Sequence, residues 1–288
     1  MHPAAAGLAL TLAAVSTAPA TADESAIAHG AYLAAAAGCD DCHTDSRNNG
    51  PAYAGGREMV TEFGRITTPN ITPDKQTGIG GWSLAAFTRA MRWGIAPDGT
   101  HYVSAFPFPY FGRLTDADLA ALKAYLDSLA PVSRPGLGGA DSLGLLARTR
   151  DAVGVALAAG SALPPVSSDP IVARGGYLVN SVGHCGDCHT PRTWLGAPDP
   201  TRELAGSHGG LEGRKAPNIT PDAKTGIGDW TLDDIATALN TGETPDFQLL
   251  GGAMAEIVRN TARLTEADRR AVAAYLKALP PKRFEKKN

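Results

Sequence analysis

Two short stretches, Cys39-Asp40-Asp41-Cys42-His43 and Cys185-Gly186-Asp187-Cys188-His189, decide how this chain folds. Each has two cysteines separated by two residues, and a histidine directly follows the second cysteine. Together they contain all 4 cysteines of the 288-residue sequence, so no thiol is left for another role. This spacing is typical of the covalent attachment of c-type haem.

The spacing suits haem because two thiols three residues apart can add across the vinyl groups on one edge of a porphyrin. The histidine then lies below the iron as its proximal ligand. Other uses of the cysteines fit less well: a zinc site with only cysteine ligands would have to join both pairs, and a thioredoxin-like pair belongs in a βαβ unit. Structural disulfides would not require a histidine after each pair. The predicted attachment residues are Cys39, Cys42, Cys185 and Cys188, and the predicted proximal ligands are His43 and His189.

The same landmarks occur twice along the chain in the same order. The first cysteines of the two motifs are 146 residues apart, the two Pro-Asn-Ile-Thr-Pro-Asp blocks 148, and the two Leu-Thr-x-Ala-Asp segments 150. So small a drift indicates duplication of one domain with short loop insertions, because a period this long is not that of a solenoid. The repeated landmarks are Ala31–Leu33 and Gly176–Leu178, Pro69–Asp74 and Pro217–Asp222, Thr77–Trp82 and Thr225–Trp230, and Leu114–Asp118 and Leu264–Asp268.

Each copy is predicted to be helical. Apolar residues recur at helical spacing in Thr115–Leu129 and Thr265–Leu279, and a proline lies just beyond each. Further helices are predicted for Ser25–Ala37, Ile171–Val182, Trp82–Trp93 and Trp230–Leu239, where Thr231 and Asp234 form a capping-box pattern. We therefore expect an all-α fold of two tandem domains, residues 23–131 and 170–282, each with a few helices around one haem.

Composition and the chain ends restrict the function further. With 26 basic and 29 acidic side chains the net charge is −3, which argues against a nucleic-acid partner. Residues 1–22 are predicted to be a secretory signal peptide, with an apolar run before Ala-x-Ala sites but no basic residue ahead of it, so we expect a periplasmic protein. No later segment has the length of a transmembrane anchor. Residues 132–169 are expected to be a linker, in which Leu143–Ala159 is either a short helix or plain connection, and 283–288 a tail.

The motifs resemble those of the two-domain, dihaem class I cytochromes c that serve as electron-accepting subunits of periplasmic alcohol and aldehyde dehydrogenases. The resemblance covers roughly Asp23–Pro281 and rests on both Cys-x-x-Cys-His sites, both Pro-Asn-Ile-Thr-Pro-Asp blocks and the helices that follow Leu-Thr. It implies two covalently bound haems and electron transfer from a partner periplasmic dehydrogenase to a soluble cytochrome or terminal oxidase. No independent catalysis is implied.

The sixth iron ligands are predicted less directly. Family members place an axial methionine where Met254 lies, in a loop of small residues. The first copy has Phe106 at this place, which cannot bind iron. We expect His101, in the same loop, to supply the ligand there, while Met59, Met91 or an open iron remain alternatives.

An open iron in the first copy would favour a different function. The alternative is a haem enzyme, such as a peroxidase-like oxidoreductase, and Phe106 is the feature that supports it. The spin state of the first haem separates the two hypotheses, because a carrier is low-spin at both irons.

Overall fold

A computed structural model describes residues 22–61, 64–102, 105–136, 167–194, 197–209 and 215–284. We call residues 22–136 the first half and residues 167–284 the second half. The predicted signal peptide, apart from its last residue, lies outside the described residues. So do most of the linker, including Leu143–Ala159, and the last four residues of the tail.

The two halves have the same order of helices. The first half contains α1 (Ala22–Ala36), α2 (Cys39–Cys42), strands β1 (Glu58–Thr61) and β2 (Gly64–Thr67), α3 (Leu84–Trp93), α4 (Phe108–Phe111) and α5 (Asp116–Ser128). The second half contains α6 (Pro170–Tyr177), α7 (Gly186–His189), α8 (Leu232–Thr241), α9 (Ala253–Thr261) and α10 (Glu266–Ala278). The described chain is thus helix-rich, and helices α1, α3, α5, α6, α8 and α10 lie where the sequence predicts helices. None of the described helices combines the length and the apolar character that a bilayer-spanning helix requires.

A short hairpin departs from the all-α prediction. Strands β1 and β2 pair antiparallel, with Glu58 opposite Thr67 and Met59 opposite Ile66. Met59 points inward and is 3% exposed, whereas Val60 is 57% exposed, so the strand does alternate. Four residues per strand give too short an alternation for the sequence to reveal it.

Side-chain caps fix where the longer helices begin. The hydroxyls of Ser83, Thr115 and Thr265 each accept a hydrogen bond from the backbone N–H three residues later. Thr231 and Asp234 form the reciprocal capping box that the sequence predicts. These caps start α3, α5, α8 and α10 at equivalent points of the two halves.

Two glycines allow the first and last helices of each half to pack closely. A Cβ on Gly30 of α1 would lie 2.0 Å from the carbonyl oxygen of Ala121 in α5. A Cβ on Gly175 of α6 would lie 1.9 Å from the carbonyl oxygen of Ala271 in α10. Any side chain would push these helices apart, so the close contact requires glycine at both positions.

A π-helical turn at Leu178–Val182 follows α6. Tyr32 and Tyr177 are 145 residues apart, whereas Cys39 and Cys185 are 146 apart, so the second half has one extra residue between these landmarks. A π turn accommodates one additional residue within a helix. The second Cys-x-x-Cys-His motif is thereby kept in the same relation to its helix as the first.

Candidate haem-binding site

The two predicted proximal histidines have the same local environment. Nδ1 of His43 lies 2.8 Å from the carbonyl oxygen of Pro69, and Nδ1 of His189 lies 2.8 Å from that of Pro217. A carbonyl only accepts, so Nδ1 carries the proton and Nε2 is left as the metal-binding nitrogen. Burial lowers the pKa of both imidazoles, although the carbonyl bond acts in the opposite direction, and this favours the neutral ring that a metal needs.

A buried asparagine holds each of these carbonyls in place. Asn70, which is 2% exposed, donates to the carbonyl of Val132 at 2.7 Å and accepts from the backbone N–H of Thr72 at 2.9 Å. Asn218 makes the matching bonds, to the carbonyl of Lys282 at 2.6 Å and from the backbone N–H of Thr220 at 2.9 Å. Each Pro-Asn-Ile-Thr-Pro-Asp block therefore ties the end of its half to the loop that orients a histidine. The sequence shows the repeated block but not its link to the histidine.

The four cysteines are free thiols in the described structure, and none is in a disulfide. Burial, the largest cause in each case, raises the pKa of Cys39 and Cys188 to about 12 and that of Cys42 and Cys185 to about 11. Reactive redox cysteines and zinc-bound thiolates need the opposite shift. The environment therefore favours the neutral form of the four thiols.

Each cysteine motif is covered by the other half of the chain. Asn260 of α9 donates to Asp41 Oδ2 at 2.6 Å. The Arg57 guanidinium donates to the Asp41 carbonyl oxygen at 2.7 Å and lies 3.5 Å from Glu256 Oε2. The negative charge of Asp187 also contributes to the raised pKa of the Cys42 thiol, after burial and other charges.

The second motif is covered in the same way by residues that follow Phe106. Arg113 donates to the carbonyl of Asn180 at 3.1 Å. Gly186 packs so closely on Tyr110 that a Cβ there would lie 2.8 Å from the Tyr110 hydroxyl oxygen. The fold thus brings both motifs to one interface, which the sequence did not predict because no motif spans the two halves.

Met254 lies at the start of a helix rather than in the expected loop. It occupies the first turn of α9 and is half-buried, two residues after Gly252, whose φ is 61°. The residues Ala253–Glu256 are good helix formers, and the flexible glycine pair before them lets the helix begin there. The expectation of a loop was wrong for this physical reason.

The three other candidate ligands are placed apart from one another. His101 is exposed and forms a backbone bridge with Ile95 at the base of a turn. Met91, 7% exposed, belongs to the apolar core on α3, and Met59 is buried on β1. The assignment of His101 as an iron ligand stays a prediction.

Comparison with known proteins identifies the family of the chain. The family model described as cytochrome c matches residues 27–130. A protein named diheme cytochrome c-type from Cereibacter sphaeroides is 44% identical over 255 residues, which cover 85% of this chain and 83% of that protein. The chain belongs to the cytochrome c family.

Larger relatives of this cytochrome c are subunits of dehydrogenases. The cytochrome c subunit of a quinone-type alcohol dehydrogenase from Gluconobacter oxydans is 38% identical over 90% of this chain and 56% of its own length. The cytochrome subunit of fructose dehydrogenase from Gluconobacter japonicus is 37% identical over 92% of this chain and 54% of its own. This cytochrome c therefore spans just over half the length of these two relatives.

The residues of this cytochrome c fit haem c. Neutral free thiols and a histidine whose Nδ1 is committed to a carbonyl are the donor set that a thioether-linked haem requires. The same set is present in each half.

Proposed function

We propose that this protein is a periplasmic dihaem cytochrome c that passes electrons from a partner dehydrogenase to a soluble cytochrome or terminal oxidase. The observation that carries the proposal is the equivalent contact of His43 with Pro69 and of His189 with Pro217, each beside a pair of half-buried free cysteines. A single such site would fit a one-haem protein. Two equivalent sites support one haem in each of two tandem domains, at residues 23–131 and 170–282.

Each haem, when bound, supplies one iron that can accept and release one electron. The chain would hold the first through Cys39, Cys42 and His43. It would hold the second through Cys185, Cys188 and His189, with Met254 as the sixth ligand. The cysteine and histidine assignments are supported by the donor chemistry and by the equivalence of the two halves, and the Met254 assignment by the family resemblance.

The packing between the halves is relevant to electron transfer because it holds the two haem sites relative to each other. Asn260 binds Asp41 of the first cysteine motif, and Arg113 binds Asn180 in the turn that leads to the second motif, which supports a constant relation between the two sites. Apolar burial around the thiols and histidines limits the rearrangement of water when the charge of an iron changes.

The dehydrogenase partner is supported by the relatives. Those named as cytochrome subunits of alcohol, fructose and gluconate dehydrogenases share 37–38% identity with most of this chain. The predicted signal peptide at residues 1–22 supports the periplasm as the place of function, where dehydrogenase and acceptor would meet.

Substrate-dependent reduction tests this proposal. The purified oxidised holoprotein is mixed with the periplasmic fraction of its own organism and, one at a time, an alcohol, an aldehyde, a sugar and a sugar acid. We expect one of these substrates to cause reduction of the haem, seen as growth of the α-band. Rapid turnover of peroxide without such reduction would contradict the proposal and favour the haem-enzyme alternative.

A further inference from the structure

Equivalent backbone bonds allow the two halves to be aligned residue by residue up to the position of the sixth ligand. A backbone bridge joins Ile95 to His101 in the first half, and the matching bridge joins Glu243 to Leu249 in the second. The next bond is also equivalent: Tyr102 N–H donates to the Gly94 carbonyl at 2.7 Å, and Leu250 N–H donates to that of Gly242 at 2.8 Å. All these pairs are 148 residues apart.

Continued for four residues, this register places Phe106 opposite Met254. The offset rises to 150 by the next equivalent landmarks, Leu114 and Leu264. If the offset between the halves had already increased to 149 or 150 before position 106, Met254 would correspond to Ala105 or Ser104 instead. None of these side chains carries a sulfur or a ring nitrogen, so the first half has no counterpart of the Met254 thioether at any offset between 148 and 150.

Phe106 is fixed in its place by other aromatic rings. Its ring centroid lies 5.7 Å from those of Tyr102 and Phe111 and 6.5 Å from that of Phe108. Phe108 and Phe111 are both buried. These contacts form an apolar cluster (Tyr102, Phe106, Phe108 and Phe111), which favours uncharged over charged ligands because burial of an uncompensated charge is costly.

The other donors on this side of the chain have different positions, and the ring that touches the apolar cluster, that of His184 at 5.4 Å from Phe111, has its Nε2 3.2 Å from the Ala37 carbonyl oxygen. His101 corresponds to Leu249, five residues before Met254, and its side chain is exposed. Met91 packs in the core of the first half, and Met59 is fixed on β1 by pairing with Ile66.

We propose, in place of the prediction that His101 is the ligand, that the iron beside His43 receives no sixth ligand from the protein and instead binds a small uncharged diatomic ligand, of the class of CO and NO, on the side where Phe106 stands in the position of Met254. This inference rests on the proposed function, because it requires a haem in the first half. The second iron, closed by Met254, is expected to stay inert to such ligands. The molecule would then combine one electron-carrying site with one ligand-binding site.

Titration with CO tests the inference on the full chain with its haems attached. The haem content of the sample is first determined as the pyridine haemochrome, and fewer than two haems per chain would overturn the proposed function itself. With two haems present, the dithionite-reduced protein is titrated with CO and followed in the Soret band. We expect one CO bound per chain. Two low-spin haems and no CO binding would overturn the inference, and two CO per chain would overturn the assignment of Met254.

Matched variants show which residue controls the site. Phe106→Met should abolish CO binding, whereas Phe106→Leu, which adds no donor, should retain one CO per chain. Met254→Leu should raise the stoichiometry from one to two. His101→Ala should change nothing; if the wild type binds no CO and this variant binds one, His101 is the sixth ligand and the inference is wrong. Azide, an anion, should bind the ferric protein at least tenfold more weakly in the wild type than in Phe106→Ala.

Discussion

The Tyr32 hydroxyl of the first half donates a hydrogen bond of 2.6 Å to Asp268 Oδ2 of the second half. The reciprocal contact is also present, because the Tyr177 hydroxyl of the second half donates to Asp118 Oδ2 of the first. Both tyrosines lie near the end of a helix that leads to a cysteine motif, and both aspartates lie in the first turn of a final helix. The halves are thus joined by two equivalent bonds that run in opposite directions.

Each aspartate is also held by a basic residue of its own half. Arg174 donates two bonds to Asp268, at 2.9 and 2.7 Å, and His29 Nε2 lies 2.6 Å from Asp118 Oδ1. The carboxylate therefore couples the packing of the first and last helices within a half to the contact between halves.

Removal of one tyrosine hydroxyl tests the contribution of this contact. Tyr32→Phe should lower the free energy of unfolding by about 1–2 kcal/mol, because a hydrogen bond to a charged acceptor is lost. Denaturant unfolding of the holoprotein, followed by far-UV circular dichroism, measures the change. Tyr125→Phe is the matched control, since its hydroxyl bonds only weakly, at 3.2 Å, to Tyr53 within the same half. Equal decreases of the unfolding free energy in both variants would show that the contact between halves contributes no more than a weak hydrogen bond within one half.

The two carboxylates should make stability depend on pH. Bonds from Arg174 lower the pKa of Asp268, and bonds from Tyr177 and His29 lower that of Asp118 although its burial acts to raise it. A lowered folded-state pKa stabilises the protein above the unfolded value of about 4, and this stabilisation is lost as the pH falls through the folded-state pKa. We expect the unfolding free energy to decrease on acidification below about pH 4.

Asp268→Asn should make the decrease of the unfolding free energy below about pH 4 less steep. Unfolding curves measured between about pH 2.5 and 6 provide the test. Asp246→Asn, at an exposed turn, serves as the control and should leave the decrease unchanged. An equally steep decrease in Asp268→Asn would show that other carboxylates cause the acid sensitivity.

Close helix contacts in the first half should not tolerate even a methyl group at Gly30. Gly30→Ala would place a Cβ 2.0 Å from the Ala121 carbonyl oxygen, so α1 and α5 must separate, at a cost of about 1–3 kcal/mol. Gly81→Ala is the control, because its nearest atom would be 3.7 Å away. The melting temperatures of the two variants are compared with the wild type. A Gly30→Ala protein as stable as Gly81→Ala would disprove the close packing.

Phe247 has an unfavourable backbone conformation at an exposed turn. Its φ is 58° and its side chain is 86% exposed, while the first half has Gly99, with a φ of 87°, at the equivalent position. Because a non-glycine residue in this region is strained, Phe247→Gly should stabilise the protein by up to about 1 kcal/mol. Gly99→Ala, which meets no atom within 4 Å, should destabilise it by a similar amount through the backbone alone. Calorimetry of both variants checks the opposite signs.

The sequence predicts local features of this protein well. The helices α1, α3, α5, α6, α8 and α10 and the capping box at Thr231 depend on neighbouring residues, and the structure confirms them. The hairpin at β1 and β2 was missed because its pattern extends over only four residues per strand. The helix at Met254 was missed because the glycines before it suggested a loop.

Contacts between the halves could not be predicted in the same way. The bonds of Tyr32 with Asp268 and of Asn260 with Asp41 join residues more than 200 positions apart. Nothing in the local sequence of one half specifies its partner in the other. The repeated Tyr and Asp landmarks were visible, but their pairing across the duplicated halves depends on how the two copies dock.

Counting the covalently attached haems tests the central claim most directly. The chain is produced in a host that exports it and matures c-type cytochromes, and its intact mass is measured under denaturing conditions together with Cys42→Ala and Cys188→Ala variants. The account predicts a wild-type mass equal to the mature polypeptide plus two haems, with the thioether linkage weakened at one site in each variant. A wild-type mass equal to the polypeptide alone, or to the polypeptide plus one haem, would contradict it.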